Sequence, residues 1–249
     1  MTRGWTDAKA LCLALLWIPA TLWLDRSASL LGQLALGAMT WALLLWWLAH
    51  ETRLVRAQTA VVVGIAAVIE LVFSGWLGVY VYRLEHVPAY VFPGHGLIYL
   101  AALTFARLPV VRSNASTAVR ATVAVATAWA LWGLLLSPRH DVLGFFWYLC
   151  LLGFLAWGRS RLLYVGALVV VTYLEVLGTR LGTWTWQPHD PTGIVAIGNP
   201  PSVAAGGYGW FDLAAVLAVP VLLRLVLRLR LVTGVRVAGT TPEPATARD

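Results

Sequence analysis

The chain has 249 residues, of which 60% are hydrophobic and only 12% charged, with a mean hydropathy of +0.77 and a formal net charge of +7. Water does not solvate such a chain as a compact globule, so the composition excludes a soluble enzyme, a disordered chain and a disulfide scaffold. At about 25 to 30 residues per helix and loop, the length accommodates roughly eight membrane spans.

In chain order, apolar runs predict helices over 8–25, 29–50, 58–82, 88–107, 116–137, 141–157, 162–180 and 206–228. The first run follows Arg3 and Lys9 as a signal peptide does, but no small-residue cleavage site comes after it, and it reads as helix one. With a cytoplasmic N-terminus, fourteen of the eighteen basic residues fall on the cytoplasmic side. The four outside are Arg26, Arg83, Arg139 and Arg180. This bias assigns the basic charge to orientation and not to a nucleic-acid surface, with both termini cytoplasmic in a bacterial-type plasma membrane. The last residues, 233–249, are polar and Pro-containing and read as a disordered cytoplasmic tail. Cys12 and Cys150 lie singly in apolar runs and read as small buried residues.

An internal repeat organises the rest. Glu70 is followed by Ser74, Gly78, Tyr80 and Tyr82, and Glu175 by Thr179, Gly182, Trp184 and Trp186. The run GHGLIYLAAL at 94–103 aligns without gaps to GYGWFDLAAV at 207–216. The duplication predicts an all-α membrane protein with two four-helix repeats, 1–112 and 113–232, the second carrying an outer-face loop at 181–205. An even number of helices per half gives both halves the same orientation, with a site expected between them.

By helical rise, Glu70 and Glu175 each lie about 18 to 20 Å from the cytoplasmic end of their helices, near the middle of a roughly 30 Å hydrocarbon core. A carboxylate at that depth costs several kcal/mol if ionised and unpartnered. It is therefore protonated, paired with a cation, or set against a polar cavity. The packing alternative is a neutral acid bonding across helices, to Ser74 or Thr179. His95 and Tyr99, like Tyr208 and Asp212, are spaced i, i+4 and so share a helical face. Glu70, His95, Glu175 and Asp212 are accordingly the candidate catalytic groups. Tyr80, Tyr82, Tyr99, Trp184, Trp186, Tyr208 and Asn199 are candidate substrate contacts. The four strand-like aromatics equally suit an interfacial belt, as do Trp46, Trp47 and Trp147. Glu85, His86, Arg180, His189 and Asp190 read as solvated loop charges.

The five histidines occur singly, with no ligand-spaced pair, so no metal and no cofactor is expected. No Gly-rich phosphate loop and no GxSxG elbow supports nucleotide-driven transport or serine hydrolysis. The site Asn114-Ala115-Ser116 falls on the predicted cytoplasmic side, where glycosylation has no meaning.

The stretch GTWTWQP at 182–188, followed by Gly193-Ile194-Val195-Ala196-Ile197-Gly198 and Pro200, resembles membrane proteins of the carotenoid pathway, the heterodimer-type lycopene cyclase domain and the related carotenoid hydratases. The likeness covers some 40 residues around 175–215 and, more weakly, their copy at 70–103. It implies proton-initiated cyclisation or water addition at a polyene double bond without a redox cofactor. One departure stands out: where the cyclase pattern has an acidic residue two positions after the loop proline, this chain has Pro200-Pro201-Ser202. Apart from the resemblance, a buried acid among aromatic faces supplies what alkene protonation needs. The leading expectation is an enzyme acting on a polyisoprenoid lipid by hydration, cyclisation or isomerisation. A proton-coupled carrier using the same carboxylates is the alternative, and a structural subunit of a membrane complex a second. No feature specifies an oligomeric state.

Overall fold

The computed structural model describes residues 3–158 and 160–233. The expected cytoplasmic tail from 234 onward lies outside the described residues. Among the described residues, nine α-helices and two short strands follow one another as α1 (Arg3–Asp25), α2 (Leu30–Ala49), α3 (Arg53–Glu70), β1 (Tyr80–Tyr82), α4 (Val91–Arg107), α5 (Pro109–Ser113), α6 (Ala115–Leu131), α7 (Val142–Trp157), α8 (Arg161–Leu181), β2 (Trp184–Trp186) and α9 (Ala205–Thr233). Two π-helical segments, Leu71–Trp76 and Trp132–Leu136, extend α3 and α6.

A helix overlaps each of the eight expected ranges. Six, among the described residues, are long and apolar enough to cross a membrane: Asp7–Asp25, Leu30–Ala49, Arg53–Trp76, Ala115–Leu136, Arg161–Leu181 and Ala205–Leu222. The other two, α4 and α7, have 17 and 16 residues. The helix expected over 58–82 is corrected by the structure. It starts earlier, behind the Thr52 side chain that caps Val55 N–H at 3.3 Å, and it ends at Trp76. Gly78 then takes a left-handed φ of 62°, which costs glycine little, and the Tyr-Val-Tyr that follows is extended. The all-α expectation thus gains one small sheet. β1 pairs antiparallel with β2 in the register Tyr80↔Trp186, Val81↔Thr185 and Tyr82↔Trp184.

Burial follows the pattern of a chain solvated by lipid. Large apolar side chains face outward, Leu31 at 77% and Trp157 at 86% exposure, while Glu70, His95, Glu175, Asp212 and Gln33 are buried. The centre is the pair α4 and α8, with α3 and α9 packed against them and α1 and α2 lying on α4. Gly166 makes the central crossing possible, because a Cβ there would meet the backbone of Ala102. Ion pairs pin both ends of the bundle. Arg83 lies 3.7 Å from Asp25 at the strand end, and Arg107 2.7 Å from Glu51 at the other.

Candidate functional site

A cavity of about 300 Å³ lies beneath the two strands, between α1, α3, α4, α8 and α9. Glu70 enters it at the point where α3 passes into its π-helical end. Its Oε2 accepts the Tyr82 hydroxyl at 2.8 Å, and its Oε1 lies 2.9 Å from His95 Nε2. Glu175 enters from α8. Its Oε2 accepts the indole N–H groups of Trp184 and Trp186, both at 3.1 Å, and its Oε1 accepts the Tyr208 hydroxyl at 3.4 Å. Each buried carboxylate is therefore held by aromatic donors from the strand that follows its own helix. Gly178 makes this possible for Trp184, since a Cβ at that position would occupy the space of the indole ring.

His95 links the two carboxylates. It bonds to Glu70, while its ring stacks on that of Tyr208 at 5.3 Å and 26°, and Tyr208 in turn bonds to Glu175. Phe211 meets the same imidazole edge-on at 5.8 Å. Tyr80 packs on Trp186 at 4.5 Å, and Tyr82 on Trp184 at 6.1 Å, so the paired strands form an aromatic roof over the carboxylates. His95 Nδ1 is buried with no hydrogen-bond partner among the described residues. An unpartnered buried polar atom of this kind is uncommon.

Of the expected site residues, Glu70, His95, Glu175, Tyr80, Tyr82, Trp184, Trp186 and Tyr208 converge on this cavity. Asp212, Tyr99 and Asn199 do not line it. One turn along α4 from His95, the Tyr99 hydroxyl donates to Gln58 Oε1 at 3.2 Å. Asp212 is buried one turn along α9 from Tyr208, with no hydrogen bond among the described residues. Asn199 acts on the roof from behind, its Oδ1 accepting the Trp186 backbone N–H at 3.1 Å. Ser74 and Thr179 do not serve the carboxylates: the Thr179 hydroxyl donates to the Glu175 backbone carbonyl at 2.7 Å. Among the described residues no three His, Cys, Asp or Glu side chains come together as metal ligands.

Several contributors escape the sequence. Trp17, Thr21 and Thr40 on α1 and α2 line the cavity, yet each is a single residue in an apolar run. The roof is fixed from outside by the turn between α6 and α7. Arg139 gives Nε to the Ile197 carbonyl at 2.6 Å and Nη2 to those of Trp186 at 2.6 Å and Gln187 at 2.5 Å. Burial pulls its guanidinium below the ordinary value, while neighbouring Asp141 acts the other way. Asp141 Oδ1 accepts N–H bonds from Gly144 at 2.9 Å and Gly198 at 2.8 Å, and its Oδ2 accepts Ser202 N–H. The signal for Asp141 was legible as an acidic cap before the run at 142–157. Arg139 had none.

The segment 189–196 is a small structured loop. His189 and Ala196 form an isolated antiparallel bridge, and Asp190 caps the turn, accepting the Thr192 hydroxyl at 2.6 Å and Val195 N–H at 2.7 Å. The Thr192 hydroxyl and then the backbone N–H groups hold the exposed Asp190 carboxyl below its usual 3.8. No family model, no curated protein and no solved structure matches the chain.

Proposed function

We propose that the chain is a membrane-embedded enzyme performing acid/base chemistry at a double bond of a polyisoprenoid lipid, by hydration, cyclisation or isomerisation. The observation that carries this reading is the placing of two buried carboxylates, one paired with an imidazole, against one aromatic-walled apolar cavity. Glu175 has only neutral donors as partners and acts as the acid. Its proton goes to one alkene carbon, forming a C–H bond at the expense of the π bond and leaving a cation on the neighbouring carbon. The faces of Tyr80 and Trp186 stabilise that cation. The Glu70–His95 pair is the base. It takes a proton from water as the C–O bond forms, or from an adjacent C–H as a new double bond forms, and exchange with water resets the protons. The likeness of 175–215 to carotenoid-pathway proteins supports a polyene as the substrate class.

The same reading comprises two four-helix halves, eight spans and cytoplasmic termini. Its supports are the fourteen-to-four distribution of basic residues and the matched order of Glu70 with Tyr82 and Glu175 with Trp186. An acyclic polyene incubated with the reconstituted protein in D2O tests the chemistry. All three reactions place solvent deuterium on carbon, and Glu175→Gln is expected to abolish this. Recovery of unlabelled lipid from active wild-type vesicles contradicts the enzyme and favours a carrier.

A further inference from the structure

A second cavity, of about 320 Å³, lies on the other side of the roof, between the end of α6, the last turns of α8 and the segment 198–202. Two of its polar side chains keep unspent donors. Arg180, in the last turn of α8, is exposed and makes no hydrogen bond or ion pair among the described residues. Asn199 uses its Oδ1 on Trp186, which leaves its Nδ2 hydrogens available. Arg139 spends Nε and Nη2 on carbonyls. The one acidic group on the lining, Asp141, is buried and already accepts three backbone N–H groups. Donors without acceptors, around one uncommitted guanidinium, are complementary to an anion with several oxygens. Trp129, Trp132 and Val176 form the adjoining wall, with Trp132 half exposed.

We infer that this cavity binds a phosphate group, presented as the headgroup of an anionic phospholipid whose acyl chains lie along Trp129 and Trp132. The phosphate oxygens take the Arg180 guanidinium and the Asn199 amide. The inference is independent of the chemistry proposed for the first cavity. It has a consequence for that cavity all the same, because Asn199 and Arg139 hold the N–H and carbonyl of Trp186, whose indole binds Glu175. An occupied headgroup site therefore stiffens the roof.

Native mass spectrometry of the full chain in detergent, with dioleoylphosphatidylglycerol or dioleoylphosphatidylcholine added, tests the site. The wild type is expected to retain one phosphatidylglycerol about tenfold more tightly than phosphatidylcholine, with Arg180→Gln abolishing most of that preference. Arg180 makes no contact that the fold requires, so the variant should melt with the wild type in phosphatidylcholine, and that melt is the folding control. If 10 mM inorganic phosphate leaves the bound lipid in place, the lipid is the source. If it displaces the lipid and raises the melting temperature alone, the same group is taken from solution as free phosphate. Equal retention of the two lipids, or an unchanged preference in Arg180→Gln, overturns the inference.

Discussion

At the scale of single residues, the carboxylates are held by partners that cannot be removed singly without leaving a buried polar group behind. Glu70 satisfies both the Tyr82 hydroxyl and His95 Nε2. Glu70→Gln keeps an acceptor for one and sacrifices little, whereas Glu70→Ala strands both and is expected to cost about 3 kcal/mol or more. Thermal melts of the two variants in one detergent check this, and equal melting temperatures would show that Glu70 has no such structural share. The duplicated order made most of this cluster readable: a carboxylate followed in the same order by a glycine and alternating aromatics identified Glu70, Tyr82, Glu175, Trp184 and Trp186. Helical spacing from His95 and Tyr208 also nominated Tyr99 and Asp212. That argument respected the face and neglected the depth. One turn is about 5.4 Å along the axis, enough to carry a side chain out of a cavity of this size.

At the scale of elements, the helices were legible from apolar runs, and their errors have local causes. The end of α3 was overdrawn because Tyr80–Tyr82 continues the apolar run while its neighbours, Gly75 and Gly78, release the helix. No periodicity reveals that β1 and β2, about a hundred residues apart, pair with each other. The crossing of α4 and α8 depends on Gly166, and a methyl there meets the Ala102 backbone, which cannot give way as a side chain can. Gly166→Ala is expected to destabilise by about 1–3 kcal/mol. A melting temperature equal to that of the wild type in the same detergent would show that the helices do not approach so closely.

The 189–196 loop carries a pH dependence with a definite sign. Asp190 has its folded value lowered, by the Thr192 hydroxyl first, so its ionised form is favoured in the folded loop. The stabilisation is full above the usual 3.8 and is lost as pH falls through the lower, folded value. Amide exchange at Thr192, Ile194 and Val195, normalised to intrinsic rates, should therefore show constant protection from pH 7 to 5, failing only below about 3.8. Asp190→Asn keeps an acceptor but no charge, so its weaker protection should not change between pH 7 and 3, and protection that rises on acidification in the wild type would reverse the argument.

At the scale of the whole molecule, composition sufficed to place the chain in lipid, and the structure agrees in having six helices of spanning length with apolar exteriors. What composition could not convey is that the ionisable groups divide between a central cavity and two pinned ends. The strand pairing requires the segments around Glu85 and His189 to share one side, with the α2–α3 turn at Arg53 on the other. In a Cys12→Ser/Cys150→Ser background, Glu85→Cys and His189→Cys should react with an impermeant maleimide from one side of sealed vesicles, and Arg53→Cys only from the opposite side. Labelling of all three from one side contradicts the arrangement.

The central claim is that Glu70 and Glu175 act on a lipid held beneath the aromatic roof. Mass spectrometry of the organic extract from purified wild type, beside the Glu70→Gln/Glu175→Gln double variant, tests it most directly. A polyisoprenoid enriched on both proteins, in converted form on the wild type and unconverted on the variant, is the predicted result. Two proteins that purify alike and carry no polyisoprenoid, or carry the same one unchanged, would contradict the claim.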